Sequence, residues 1–195
     1  MQSDHISFSP LHTHYAVSFI DIVGSTGIIA ELSASEGDVL YMTFLNSISD
    51  IITKGGGEII KTMGDGIMYY FPQTENGELK EYERVLRIAL DVLFAHTDIN
   101  ASLHERGLPP IDYRVSSSFG AVSIIESDAK KVNDLFGTTV NTCAKMNKLA
   151  APNSCIIGSA LYGKVKDSVL FTIHPYKEFV IDNHLSYMTY VVEEK

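Results

Sequence analysis

Apolar residues at helical spacing occur twice between β-type segments, and this alternation limits the folds open to the chain. The first helical repeat covers residues 39–52, and the second runs from residue 85 towards residue 103. The β-branched and aromatic runs between them predict strands at residues 15–22, 58–61, 67–71, 113–118 and 121–125. The order β-α-β-β-α-β is that of a ferredoxin-like α+β sandwich core.

Turn residues set the predicted boundaries of these elements. The strands at 58–61 and 67–71 flank a glycine-bearing turn of hairpin type, and the pair Phe119-Gly120 predicts a break between the next two strands. The polar residues 126–133 predict a loop, and a helix is expected from about residue 139 to before Pro152. The C-terminal additions are predicted as strands at 154–157, 169–173 and 187–192, with a short helix at 160–164.

Composition excludes several classes of protein. The chain has 195 residues, 45% of them hydrophobic, which suits one globular domain and excludes disorder and collagen. A net charge of −9 argues against broad contact with nucleic-acid backbones. No run approaches the ~18 apolar residues of a spanning helix, so no membrane partner is expected. Two cysteines outside any metal or disulfide pattern favour a reducing, cytoplasmic location.

Two aspartates stand where predicted strands end. Asp21 closes an apolar strand, and Asp65 lies in the turn of the predicted hairpin. Each aspartate alone is also typical of a turn. Two carboxylates close in space would suit Mg²⁺, which takes one or two carboxylates together with phosphate oxygens and water. Gly24, Ser25 and Thr26 follow Asp21 and would let backbone amides approach a phosphate.

Other nucleotide and hydrolase chemistries lack their motifs in this chain. There is no Gly-x-x-x-x-Gly-Lys-Ser/Thr loop and no Gly-x-Gly-x-x-Gly motif, which argues against P-loop and Rossmann proteins. There is no Gly-x-Ser-x-Gly motif, and the seven histidines form no partner pattern, so a hydrolase triad has no support.

Three sequence blocks, in order, resemble the class III nucleotidyl cyclases, the catalytic domains of adenylate and guanylate cyclases. The blocks are FIDIVGST at residues 19–26, GGEIIKTMGDG at 56–66 and DLFGTTVN at 134–141. The resemblance runs from about residue 15 to 192. It implies a catalytic domain over residues 15–195, preceded by an N-terminal tail of residues 1–14.

The resemblance implies a role for each matching residue. Asp21 and Asp65, with the carbonyl of Ile22, correspond to the ligands of two Mg²⁺ or Mn²⁺ ions per site. Such ions lower the pKa of the ribose 3′-hydroxyl and hold the triphosphate, so that pyrophosphate leaves in line. Lys61 and Asp134 correspond to the pair that recognises adenine, with Asp134 accepting from the exocyclic amine that guanine lacks at that position.

Asn141 and Lys145 correspond to the two catalytic residues on the following helix. They are four residues apart and share a helix face. The family has arginine at the second position, so Lys145 keeps the charge but loses the planar two-pronged guanidinium. Lys148, one turn further, is expected to be a solvated surface residue that could also assist.

In the family the metal aspartates of one subunit meet the remaining residues of another, so a homodimer with two equivalent sites is expected. The leading hypothesis is a cyclase that makes cyclic AMP and pyrophosphate from ATP in signal transduction. Two alternatives stay open: a cyclase for GTP or a pyrimidine triphosphate, as in antiviral signalling, and a catalytically weak nucleotide-binding regulatory module. Any regulator is expected to be a separate protein.

Overall fold

The structure is a computed structural model that describes residues 7–8, 13–127, 130–182 and 185–195. Of the predicted tail, residues 1–6 and 9–12 therefore lie outside the described residues. The strands are β1 (Ser7–Phe8), β2 (Thr13–Ile22), β3 (Glu58–Thr62), β4 (Gly66–Phe71), β5 (Tyr113–Ser127), β6 (Lys130–Phe136), β7 (Cys155–Gly158), β8 (Phe171–Asp182) and β9 (Leu185–Glu194). The helices are α1 (Ser25–Ala30), α2 (Ala34–Lys54), α3 (Leu79–Phe94), α4 (His96–His104), α5 (Thr138–Asn147) and α6 (Ser159–Val165).

The main sheet confirms the predicted ferredoxin-like core with C-terminal additions. Its strand order is β3-β4-β2-β5-β7-β9-β8, and the first four strands pair antiparallel. These four strands, with α2 and α3 as crossovers, form the predicted β-α-β-β-α-β unit. β7 joins β5 in parallel, and β8 and β9 extend the sheet.

Side chains of the central strands alternate between two cores. Along β2, Ala16 and Ile20 face the core that is filled from α2 and α3, while Val17 and Phe19 face a second core. Val140 and Cys143 of α5 contribute to this second core. Because a strand projects successive side chains to opposite faces, a strand covered on both sides is apolar throughout. The central strands are therefore held rigidly from both sides.

α2 starts five residues before its predicted beginning. Ser33 and Glu36 form a capping box, in which each side chain accepts from the backbone amide of the other residue. The helix buries its predicted apolar face, including Phe44 and Ile48, and ends at Lys54 before Gly55. The cap, which apolar spacing alone does not show, accounts for the extra turn.

The predicted long helix from residue 85 towards 103 is wrong, since the chain forms α3 and α4 with Ala95 between them. The hydroxyl of Tyr113 donates to the carbonyl of Val92, 2.7 Å away, which is the acceptor for the amide of His96 in one continuous helix. α4 still buries Leu103 in the same core. The apolar pattern therefore continues from α3 into α4 although the helix itself is interrupted at Ala95.

The predicted break at Phe119-Gly120 is also wrong, since β5 runs through both residues and pairs with β2. A Cβ at Gly120 would lie 2.6 Å from the hydroxyl oxygen of Thr139, so this glycine permits close approach of α5. The predicted loop at 126–133 is likewise corrected: outside residues 128–129, which are not described, these residues belong to β5 and β6. Because most of residues 126–133 are polar, their sequence did not indicate that they form strands.

Candidate active site

The side chain of Asp21 lies half-buried at the end of β2. Its register partner on β5 is Arg114, and the guanidinium Nη2 donates to the carboxylate Oδ2 over 3.0 Å. The Asp21 side chain is 34% exposed and that of Arg114 is 18% exposed. The sheet therefore holds one negative and one positive group side by side at this edge.

Asp65 lies in the turn that joins β3 to β4. Gly64 has a φ of +72°, which suits glycine in the first central position of a two-residue hairpin. Gly66, the residue after Asp65, pairs directly with Asp21, and a Cβ at Gly66 would be 2.4 Å from the carbonyl oxygen of Ile20. The hairpin thus brings Asp65 to the same sheet end as Asp21. Among the described residues, no hydrogen bond or ion pair engages the Asp65 carboxylate.

The segment after Asp21 turns sharply into α1. Ile22 is buried, and the amide of Val23 donates to the carbonyl of Asp112 over 2.8 Å. Gly24 has a φ of +69° and precedes a helix of six residues that begins with Ser25 and Thr26. These residues therefore lie at the same end of β2 as Asp21, and their predicted contact with a phosphate stays a prediction.

The donor set at this edge fits a divalent cation. Asp21 and Asp65 supply two carboxylates, and the described residues hold no cluster of three or more His, Cys, Asp or Glu side chains. Such a set leaves coordination positions for water and phosphate oxygens, as Mg²⁺ requires. The pKa of the nearby Tyr41 is raised above 10.0, first by burial and then by the negative charge of Asp65. Because no positive side chain among the described residues pairs with Asp65, its negative charge would favour a bound cation.

Lys61 of β3 and Asp134 of β6 form an ion pair. The ammonium Nζ donates to the carboxylate Oδ2 over 2.6 Å, and the two side chains are 44% and 30% exposed. The other carboxylate oxygen accepts from the amide of Leu135. The pair presents a donor and an acceptor together, which the predicted role in reading a base requires.

Asn141 and Lys145 lie exposed on one face of α5, as their spacing predicted. Among the described residues, neither side chain makes a hydrogen bond or ion pair with Asp21 or Asp65. Asn147, two residues after Lys145, is buried on the opposite side of the helix. A step of two residues turns a helix by about 200°. Lys145 therefore lies on the exposed side of α5, opposite Asn147.

Asn147 and Arg114 are site residues that sequence reasoning missed. The Asn147 amide nitrogen donates to the carbonyls of Phe19 and Arg114, at 3.1 and 3.4 Å. Arg114 also donates to the carbonyl of Lys148. Lys148, Asp21 and Asn147 line a recess of about 170 Å³. Arg114 could have been suspected as a cation at the start of a predicted strand, whereas Asn147 gives no such signal.

Comparison with known proteins identifies the family. The family model described as "Adenylate and Guanylate cyclase catalytic domain" matches residues 9–194, and the chain belongs to this family. It is a class III cyclase domain. Within the described residues, no helix is both long and apolar enough to cross a bilayer.

Its relatives include adenylate cyclases from two bacteria. The chain is 26% identical over 145 residues to one from Streptomyces coelicolor and 23% identical over 165 residues to one from Glutamicibacter nicotianae. These matches cover 74% and 85% of this chain but 32% and 36% of those proteins. The chain thus spans about a third of the length of these curated relatives.

Solved structures of both substrate classes share the fold. The adenylyl cyclase CyaB from P. aeruginosa superimposes with a TM-score of 0.84 at 19% identity, covering 98% of this chain and 97% of that one. A guanylyl cyclase superimposes with a TM-score of 0.80 at 19% identity, covering 93% and 92%. At this identity the likeness establishes the fold alone.

Proposed function

We propose that this domain converts ATP to 3′,5′-cyclic AMP and pyrophosphate at sites shared between two copies of the chain. The observation that carries the choice of ATP is the Lys61–Asp134 pair. An ammonium donates to a ring nitrogen of adenine, and a carboxylate accepts from its exocyclic amine. Guanine presents a carbonyl oxygen there, which a carboxylate repels. The names of the curated relatives support the same choice.

Asp21, Asp65 and the carbonyl of Ile22 would hold two Mg²⁺ or Mn²⁺ ions. The ions, when bound, would activate the ribose 3′-hydroxyl and neutralise charge on the triphosphate. Arg114 is placed to offer its guanidinium to phosphate oxygens when a cation competes for Asp21. Gly24, Ser25 and Thr26 would border the phosphates. Each of these groups acts on charge that grows as pyrophosphate departs.

A second copy of the chain would complete each site. Asn141 and Lys145 are exposed and, among the described residues, make no hydrogen bond or ion pair with Asp21 or Asp65 of the same chain, so they would serve the carboxylates of a partner. Lys145 would stabilise the charge on the transferring phosphate, and Asn141 would orient the reacting ribose. We propose that residues 15–195 form the catalytic unit. Its first strand, β2, begins slightly earlier, at Thr13.

The test is incubation of the purified chain with each of the four ribonucleoside triphosphates and Mn²⁺, followed by separation of the products. Cyclic AMP as the main product supports the proposal. A cyclic nucleotide of another base would reassign Lys61 and Asp134. Nucleotide binding without product would make the chain a regulatory module. Asp65→Ala serves as the matched inactive control.

A further inference from the structure

A second recess, of about 230 Å³, lies between β5, the start of α5 and the end of β7, and we call it the β5–α5 recess. β2 pairs with one edge of β5 from Tyr113 to Val122. On the other edge, β7 pairs with β5 as far as Ser117, and β6 pairs with it from Ser123 onwards. Among the described strands, none therefore covers this edge between the two pairings, and the recess opens there. Of the described residues that line it, none is assigned to the candidate active site.

Two buried hydroxyls line the β5–α5 recess. Ser118 is 6% exposed and Thr142 is 5% exposed. Among the described residues neither hydroxyl has a hydrogen-bond partner, and neither oxygen is closed off from water. Gly158, which also lines the recess, shows which way Ser118 points, because a Cβ on this glycine would lie 3.2 Å from the Ser118 side-chain oxygen. The Ser118 hydroxyl therefore borders the space that the absent side chain of Gly158 leaves open.

The first turn of α5 adds backbone donors to the same recess. α5 has ten residues, and its N-cap, Gly137, provides no side-chain hydrogen bond to the first turn. The amides of Thr138 and Thr139 have no carbonyl partner within the helix, and both residues line the recess. The first turn also contains no acidic residue. Such an N-terminus carries partial positive charge and favours an anion.

The chemistry of the lining selects a small anion. The described lining residues include no Asp or Glu, so no carboxylate repels an anion, and a divalent cation lacks the ligands that it prefers. An apolar ligand would leave both hydroxyls unsatisfied. Liquid water occupies roughly 30 Å³ per molecule, so the recess has room for a tetrahedral oxyanion. Its volume is below the about 300–1,000 Å³ of typical organic-ligand pockets.

We infer that the β5–α5 recess binds a small free oxyanion of the phosphate type. The hydroxyls of Ser118 and Thr142 donate to its oxygens, and the amides of Thr138 and Thr139 face its negative charge. Binding requires neither a cation nor a nucleotide. The inference is therefore independent of the proposed function.

Two variants each remove one hydroxyl with little change of shape: Ser118→Ala and Thr142→Val. Ser117→Ala is the matched control, because the buried Ser117 hydroxyl lies 2.7 Å from that of Ser18 and Ser117 does not line the recess. Ser117→Ala should lower the midpoint of thermal unfolding, since it breaks this hydrogen bond. Ser118→Ala should not lower it, because its hydroxyl has no partner to lose.

Binding is measured by ¹H–¹⁵N NMR of the full chain, titrated with sodium phosphate at constant ionic strength, without nucleotide and in buffer stripped of divalent cations. We expect saturable shifts of the Thr138 and Thr139 amide signals in wild type and in Ser117→Ala. Phosphate affinity should fall at least about tenfold in Ser118→Ala and in Thr142→Val, since hydrogen bonds to charged groups are the stronger ones. Shifts that do not saturate in wild type, or equal affinity in all four proteins, would overturn the inference.

Two further titrations identify where the anion binds and in what form. Asp21→Asn should leave phosphate affinity unchanged, whereas a changed affinity would place the anion at the carboxylate edge and overturn the inference. Phenyl phosphate has the same charged group on a bulky ring and should bind more weakly than phosphate. Equal affinity would assign the recess to the phosphate group of a larger molecule and overturn its assignment to a free ion. A failure of ATP turnover would change none of these results.

Discussion

Lys61 and Asp134 meet across strands that are not neighbours in the sheet. β3 is the edge strand of the main sheet, whereas β6 pairs with β5 on the far side of β4 and β2. The 2.6 Å contact therefore shows that β6 curves back over the sheet until it reaches β3. The chain neighbours of the pair, Ile60 and Leu135, belong to the core that contains Val17 and Phe19. The geometry of the pair therefore depends on how β6 lies relative to β3.

Replacing both members of this pair is expected to change specificity more than stability. In the double variant Lys61→Gln and Asp134→Asn, the carboxylate becomes an amide that can donate to a guanine carbonyl. The ratio of ATP to GTP turnover should fall at least about tenfold, since each lost polar partner costs about 1–3 kcal/mol. Both side chains are partly exposed, so the pair itself adds at most ~1 kcal/mol of stability. Competitive steady-state assays measure the ratio.

The control for this experiment is Asp50→Asn. Asp50 forms an exposed ion pair with Lys54 of the same helix at 3.2 Å, and neither residue is assigned to the site. It should leave the ATP to GTP ratio unchanged. An unchanged ratio in the double variant would remove Lys61 and Asp134 from base recognition.

Replacing either carboxylate is expected to lower turnover, whereas only the replacement of Asp21 is expected to lower the stability of the fold as well. Asp65→Ala and Asp21→Ala should each lower turnover at least about 100-fold, because cation chemistry supplies several kcal/mol of transition-state stabilisation. Asp21→Ala should also lower the free energy of unfolding, since it leaves the half-buried Arg114 guanidinium without its carboxylate. Urea unfolding and product assays measure both. Wild-type turnover in either variant would contradict the cation assignment.

The fold and the candidate site were predictable where the signal is local. Gly24 follows Asp21 by three residues, and Gly64 and Gly66 flank Asp65, so short sequence blocks predicted the turns at both positions. The two aspartates then lie at the same end of the sheet because β2 and β4 are neighbours in the predicted core, which places Asp21 opposite Gly66. The roles assigned to all the site residues stay predictions.

Features that depend on contacts between residues distant in the chain could not be predicted from the sequence. Whether Arg114 reaches Asp21 depends on the register between β2 and β5, which no local pattern sets. Asn147 belongs to the buried side of α5 and, by pattern alone, is a polar interruption of it. The break at Ala95 depends on a hydroxyl from Tyr113, 18 residues further along the chain.

Gly66 is expected to be required for the geometry between the carboxylates. In Gly66→Ala the new Cβ would lie 2.4 Å from the carbonyl oxygen of Ile20, so β2 and β4 must separate locally. Such overpacking costs about 1–3 kcal/mol. The free energy of unfolding and the Mn²⁺ affinity should both fall. Gly163→Ala is the control, because a Cβ there meets nothing within 4 Å, and equal behaviour of the two variants would argue against the pairing.

The two thiols are expected to be unreactive in the folded chain. Burial raises the pKa of Cys143 and of Cys155 from 9.0 to about 12. Because the folded state keeps these protons, their contribution to stability is complete below pH 9 and declines as the pH rises towards 12. At pH 8 a disulfide reagent should label both thiols in guanidinium and neither in buffer. Rapid labelling of the native chain would contradict their burial.

Lys145 offers the sharpest test of the catalytic assignment, since it is exposed on α5 and its replacement should not disturb the fold. A cation that acts on transition-state charge changes kcat more than apparent affinity. Lys145→Arg should raise kcat up to about tenfold, or ~1.4 kcal/mol, because a guanidinium can hold two phosphate oxygens. Lys145→Ala should lower kcat with little change in the KM for ATP. Lys148→Ala, measured beside them, should keep most activity. If Lys145→Ala matches wild type and Lys148→Ala does not, the catalytic cation is Lys148.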